Sequence, residues 1–238
     1  MNASAALRMS STPLWSGDDL RISLRAAGRE LPRGLPLRAG SVLFRRGEPL
    51  RKVYVVMHGA VQVRRAVPEG QVRIVDLALA GDVVGFDDFA SGLYAADAVA
   101  LHDAVVCAID PARWWRLSEH NPRLPALASL GAAQVHRALR QNMRLRLGAP
   151  SRLADCLLQL AEKIGSVDIE LPLSYQDLAN YLNLRPETMS RALRELERLH
   201  CLRRSGRARL QLDPDLLRLT RATPRRRQVC VRRGSRPA

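Results

Sequence analysis

Long apolar runs are missing from this 238-residue sequence. No stretch of about 18 uncharged apolar residues exists, so no membrane-spanning helix is expected. Met1 to Arg8 also lacks the apolar core of a secretory signal. Cysteine is sparse. Cys107, Cys156, Cys201 and Cys230 form no Cys-x-x-Cys pair, and no His stands at metal-finger spacing. That argues against a disulfide framework and a structural zinc site, and it predicts reduced thiols in a cytoplasm. Lysine is nearly absent: apart from Lys52 and Lys163, all 38 basic residues are arginine. Against 23 acidic residues they leave a formal charge of +15, which points to nucleic acid ahead of an anionic membrane. The excess is uneven. Residues 151–220 carry only +1, whereas 221–238 hold seven Arg and no acid, so the basicity near the C-terminus belongs to a tail. Hydrophobic content of 47% over this length predicts one or two packed domains.

From about 36 to 110 the pattern is one of short alternating runs. Val42–Phe44, Val53–Met57, Ala60–Val63, Val72–Val75 and Ala104–Cys107 read as strands. Gly40, Gly47, Gly59, Gly70, Gly81 and Gly92 punctuate them at the spacing of a β-roll. Glycine suits these turns because positive φ is costly for other residues. After Pro111 the period changes. In the run from Leu124 to Leu147, Ala128, Ala132, Val135, Leu139 and Asn142 recur at alternating steps of four and three. That spacing describes a helix with a coiled-coil seam and one polar register position. An ordinary amphipathic helix packed on the β-domain is the alternative. Gly148-Ala149-Pro150 should end it, and a new helix should run from Ser151 to Ile164.

Residues 168–220 read strand, helix, turn, helix, hairpin. Ser174 is a suitable N-cap with Asp177 three positions on. Asn183-Leu184-Arg185 makes a turn, and Pro186 and Glu187 open a second helix, where a missing N–H and an acid are both tolerated. On that helix Glu187, Ser190, Arg191 and Arg194 share the face opposite Met189 and Leu193. Arg and Glu suit the hydrogen-bonding edges of guanine and cytosine. Thr188 and Arg194, with Arg203, Arg204 and Arg207 of a hairpin from Leu202 to Leu212, suit phosphates. Together these parts describe a winged helix-turn-helix. The competing reading is an exposed helix face with Glu and Arg at salt-bridge spacing.

Leu178-Ala179-Asn180-Tyr181-Leu182, followed by Pro186-Glu187-Thr188-Met189-Ser190-Arg191-Ala192-Leu193-Arg194-Glu195-Leu196, resembles the helix-turn-helix of the CRP/FNR family of transcription regulators. Gly40-x-x-Leu43-Phe44-x-x-Gly47, Tyr54-Val55-Val56-x-x-Gly59 and Ala80-Gly81-Asp82-Val83-Val84-Gly85-Phe86-Asp87 resemble that family's cyclic-nucleotide-binding-like β-roll. The resemblance implies an α+β chain: an N-terminal arm (1–30), a β-roll (31–118), a dimerisation helix (119–148), a winged helix-turn-helix (151–220) and an Arg-rich tail (221–238). It also implies a homodimer bound to double-stranded DNA and in contact with RNA polymerase. Base contacts fall to Glu187, Ser190 and Arg191. Ser190 and Pro186 point to the FNR-like branch and to inverted TTGAT-type half-sites. In that family the residue after the recognition helix is usually Gly; here it is His200, which puts the angle of the wing in question.

The cofactors of the family fit less well. Members that bind cAMP supply a Glu and an Arg-Ser or Arg-Thr pair, where this chain has Phe86, Ala96 and Asp97. The loop from Asp87 to Asp97 has no Arg or Lys and three aspartates, which argues against a cyclic phosphate. An FNR-type iron–sulfur cluster needs N-terminal cysteines besides Cys107, and residues 1–106 contain none; Cys107 reads instead as a small buried hydrophobe. His58, His102, His120 and His136 leave haem ligation open. Two other functions compete with the leading one: a sensory module, for haem or another effector, that regulates a protein partner, and non-specific packaging by the tail. An enzyme is the weakest class, since the adjacent Asp87 and Asp88 have no nucleophile, phosphate loop or metal spacing nearby.

Overall fold

The structure, a computed structural model, describes residues 34–67, 70–86, 90–113, 116, 139–206 and 208–222. In chain order the elements are β1 (Leu35–Leu37), β2 (Val42–Phe44), β3 (Val53–His58), β4 (Ala60–Ala66), β5 (Val72–Leu79), β6 (Val83–Val84), β7 (Asp97–Ala100) and β8 (Ala104–Ile109). There follow α1 (Ala149–Ile164), β9 (Asp168–Glu170), α2 (Tyr175–Tyr181), α3 (Pro186–Arg198), β10 (Leu202–Arg204), β11 (Arg209–Leu212) and α4 (Pro214–Ala222). The chain divides into two compact units. One runs to Leu139 and takes in Pro172–Tyr181; the other comprises Arg140–Leu171 and resumes at Leu182.

The first unit is built from two antiparallel four-stranded sheets, in the orders β1-β8-β3-β6 and β2-β7-β4-β5. All five runs read as strands from their alternation are strands. The short β1, β6 and β7 carried no comparable signal. Gly40, Gly47, Gly59, Gly70, Gly81 and Gly92 all have positive φ, as the turn reading required. Gly59 is the most constrained, because a Cβ there would collide with the Asp103 carbonyl and lie 2.8 Å from Ala104 Cα. Between the sheets Phe44, Val56, Val61, Val63, Tyr94, Ala96 and Val106 form a continuous core. Phe44 stacks on Tyr94 with ring centroids 3.9 Å apart, and Tyr94 Oη donates to the Lys52 carbonyl at 2.7 Å. Burial, reinforced by neighbouring Tyr54, raises the Tyr94 pKa well above its ordinary value.

In the same unit the Asn180 side chain of α2 completes the edge of β5. Its Nδ2 donates to the Val72 carbonyl at 2.9 Å, and its Oδ1 accepts the Ile74 N–H at 2.8 Å. A primary amide satisfies one donor and one acceptor of an edge strand at once, which leaves less of that edge open to wrong pairing. His102 Nε2 donates to the Pro172 carbonyl at 2.7 Å.

The second unit begins with a helical segment that ends at Arg144, three residues before the boundary expected at Leu147. Two further boundaries also differ. Helix α1 starts at Ala149 rather than Ser151, because Pro150 sits in the first turn, where its missing N–H has no partner to lose. Arg221, expected in the Arg-rich tail, lies in α4 and faces Asp155 at 3.4 Å. That helix was not anticipated. It buries Leu217 completely and pairs its Thr220 carbonyl with Ser151 Oγ at 3.0 Å. Gly165 closes α1 in the left-handed conformation, and its N–H reaches the Ala161 carbonyl. The three-stranded sheet has the order β10-β11-β9. Leu153, Leu157, Leu196, Leu210 and Leu217 are among the fully buried side chains of this unit.

Candidate nucleic-acid interface

Ser174 caps α2. It accepts the Asp177 N–H at 3.1 Å and gives its own hydroxyl proton to the Asp177 carboxylate at 2.6 Å. The acid thus orients the cap. In a full capping box it would take the N-cap N–H instead. Leu182 is buried, and Asn183 turns the chain with φ 53°; the short polar Asn tolerates this better than most residues. Arg185 is extended at the N-cap of α3 without a side-chain cap, Pro186 opens the helix, and Glu187 lies in its first turn.

The periodicity of α3 separates two faces. Met189, Ala192, Leu193 and Leu196 are buried, each at 5% exposure or less. Glu187, Ser190, Arg191 and Arg194 are all exposed, and Thr188 is half-buried. One side of a three-turn helix therefore offers a carboxylate, a hydroxyl and two guanidiniums within about two turns.

His200 takes up the left-handed conformation with φ 58°. The Cys201 N–H then reaches the Leu196 carbonyl at 2.9 Å and the His200 N–H reaches Glu197 at 3.0 Å. This is the six-to-one and five-to-two pairing of a Schellman stop. Histidine thus fills the position where Gly was expected, and the wing follows at the angle that such a stop sets. Arg203 and Arg204 lie exposed on β10. The Arg204 guanidinium makes a forked pair with Glu197 of α3, Nη2 to Oε2 at 2.7 Å and Nε to Oε1 at 3.2 Å. The Arg204 hydrogen bond holds the Glu197 carboxyl below its usual range. Glu197 escaped the sequence reading because its partner lies across a turn, outside any helical repeat.

Of the remaining expected residues, Arg207, Ala128, Ala132, Val135, His120 and His136 lie outside the described residues, as do Asp87 and Asp88. Leu139 and Asn142 are exposed. Cys107 is 1% exposed, and burial raises its thiol pKa. Among the described residues no cluster of three or more His, Cys, Asp or Glu side chains could hold a metal ion, and no helix is long and apolar enough to cross a membrane.

Residues 35–121 match the cyclic nucleotide-binding domain, and residues 151–220 match the Crp-like helix-turn-helix domain. The transcriptional activator protein anr of Pseudomonas aeruginosa is 30% identical over 169 residues, 67% of this chain and 68% of that protein. The nitrogen fixation regulation protein FixK of Bradyrhizobium diazoefficiens is 31% identical over 179 residues, 71% of this chain and 73% of FixK. Among solved structures, FixK2 of Bradyrhizobium japonicum superposes with a TM-score of 0.72 at 26% identity, covering 82% of this chain and 99% of its own. These relatives are regulators, not enzymes. With a β-roll first, an exposed Glu-Ser-Arg face on α3 and a hairpin wing behind it, the chain belongs to the CRP/FNR family of DNA-binding transcription regulators.

Proposed function

We propose that the protein works in the cytoplasm as a homodimer, reads an inverted repeat of TTGAT-type half-sites and contacts RNA polymerase. Glu187, Ser190 and Arg191 read base edges. Thr188, Arg194, Arg203, Arg204 and Arg207 hold phosphates. Ala128, Ala132, Val135, Leu139 and Asn142 form the dimer seam. The observation that carries this reading is the outer face of α3, where Glu187, Ser190 and Arg191 are all exposed above a fully apolar inner face. Arg191 offers two donors to the O6 and N7 acceptors of guanine, and Glu187 accepts from the cytosine amino group. Arg191→Ala is expected to weaken binding to the inverted repeat by about 5- to 150-fold per half-site, equivalent to about 1–3 kcal/mol, with little effect on random DNA. Gel-shift titration at fixed salt measures both, and an equal loss on both DNAs rejects the assignment. Light scattering of the purified protein tests the dimer directly.

The residues of the β-roll do not fit a cyclic nucleotide. Ala96 is buried in the core, and the Asp97 carboxylate accepts the Arg46 N–H at 2.9 Å and faces Arg64 Nε at 3.9 Å. A carboxylate held at the place where a phosphate's counter-charge is needed repels the ligand. Cys107, buried in β8, equally has no cysteine among residues 1–106 to complete an FNR-type cluster ligand set.

A further inference from the structure

We propose that Arg152 is a positioning residue that sets the spacing between the two DNA-reading helices of the dimer. The inference rests on the dimeric reading given above. Arg152 lies in the first turn of α1, a poor place for a cation, since that end of a helix carries partial positive charge. No acid lies in that turn to offset it. Its guanidinium instead turns to main-chain carbonyls on two other segments. Nε donates to Leu147 O at 3.0 Å and Nη2 to Leu145 O at 2.5 Å. Nη1 is shared between Leu182 O and Asn183 O, each at 3.3 Å.

Both sets of carbonyls follow the end of a helix. Leu145 and Leu147 come directly after the helical segment that carries Asn142 and stops at Arg144. Leu182 and Asn183 form the turn from which α3 springs. Carbonyls just past a helix end have no intrahelical partner and lie beside the negative end of its dipole, so one cation placed between two such ends is stabilised by both. A guanidinium is planar, and its donors diverge in a fixed fork, so it sets the angle between the segments as well as their separation. Arg144 braces the same joint from the other side, with Nε to Asp155 at 2.8 Å and Nη2 to Gln159 at 2.7 Å. The joint at 145–148 is therefore tied to the recognition element by side chains rather than left as a loose linker. In a dimer, any change in that angle appears twice, once per protomer, as a change in half-site separation.

The test uses the full-length protein and three DNAs: a single half-site, the best inverted repeat, and the same repeat with one base pair added to its spacer. Wild type should favour its best spacing by about tenfold or more, because half-site separation follows protein geometry. Arg152→Lys keeps the charge but concentrates its donors at one point, so it cannot span both segments in a fixed plane. It should hold single half-site affinity within about threefold while its spacer preference falls below about threefold. Arg152→Met should behave likewise, with far-UV circular dichroism reporting its fold. The assignment fails if Arg152→Lys keeps the wild-type spacer preference, or if half-site and inverted-repeat affinities fall together, as a purely structural role would require. If wild type itself shows no preference for any inverted repeat, the dimeric reading falls and takes this inference with it.

Discussion

Replacing Arg144 by methionine removes a guanidinium that is 5% exposed and ties the end of the helical segment 139–144 to α1. It leaves behind Asp155, whose side chain is 14% exposed. Breaking a buried ion pair from one side costs about 3–5 kcal/mol, chiefly because the surviving charge is stranded. Here the carboxylate keeps two other partners, the Gln159 amide at 3.0 Å and Arg221 at 3.4 Å. We therefore expect a smaller loss, about 2–3 kcal/mol, because the remaining partners offset part of the stranded charge. Because the chain has two compact units, a single global unfolding free energy is not well defined. Hydrogen exchange resolved by peptide is the better assay, since it reads the opening of α1 directly. At 1.36 kcal/mol per decade, amides of α1 should exchange about 30- to 160-fold faster in Arg144→Met. Adding Asp155→Asn removes the stranded charge and should recover at least about 1 kcal/mol of that loss. Acceleration below about threefold, or strict additivity of the two substitutions, would show that the pair is solvated like a surface bridge and would refute the reasoning.

Gly59→Ala should destabilise the β-roll by more than the roughly 1–2 kcal/mol that a left-handed alanine costs, because its Cβ also strikes the backbone at Asp103 and Ala104. Gly70→Ala, with φ 73° and open space around it, should show the backbone cost alone; equal urea midpoints would rule out the clash. Burial pushes the Cys156 thiol up to about 11, so at pH 8 iodoacetamide should label it only through opening of the unit, and prompt labelling seen by mass spectrometry would contradict this. The same shift means that stability is fully present below the unfolded thiol pKa, about 8.5, and declines above it as the unfolded chain ionises first. The depressed Glu197 carboxyl has the opposite sign. Its contribution is present above the unfolded carboxylate pKa and is lost as pH falls through the folded value. Exchange protection of β10 should therefore drop in acid for wild type and stay flat for Glu197→Gln; parallel profiles would dismiss the pair.

Local rules made most of the fold legible. Alternation marked β2, β3, β4, β5 and β8, and glycine spacing marked the turns between them. The 3.6-residue period of Met189, Ala192, Leu193 and Leu196, with Pro186 and Glu187 at the front, located α3 and its exposed face. What escaped was structure fixed by distant partners. The two-residue β6 is too short to alternate, and it exists because β3 pairs with it. Helix α4 escaped although part of its signal is local: Asp213 Oδ1 accepts the Asp215 and Leu216 N–H groups at 3.0 Å and Pro214 opens the helix, while α1 holds it through Leu217, Ser151 and Asp155. The turn residue His200 broke a glycine rule and still adopted the left-handed cap. The ladder of hydrogen bonds at Cys201 and His200 compensates a cost of about 1–2 kcal/mol that the residue type alone would count against it.

Arginine is where residue type misled most. Thirty-six arginines suggest a surface ready for phosphate, yet several in the DNA-binding half are committed within the protein. Arg144 is buried against Asp155, Arg152 is spread over four carbonyls, Arg204 is forked onto Glu197, and Arg218 and Arg221 pair with Asp215 and Asp155. Arg191 and Arg194 differ, since both stand exposed on α3. That division accounts for a near-neutral domain that can still read DNA. Non-specific attraction grows with every phosphate neutralised and falls steeply with salt, whereas discrimination between bases needs only a few donors held in the right places. Arginines whose donors are taken up within the joint, Arg144 and Arg152, add little to the first. Arg152 ties the Leu182–Asn183 turn that precedes α3, so in the proposed reading it serves the second, by fixing where that helix starts.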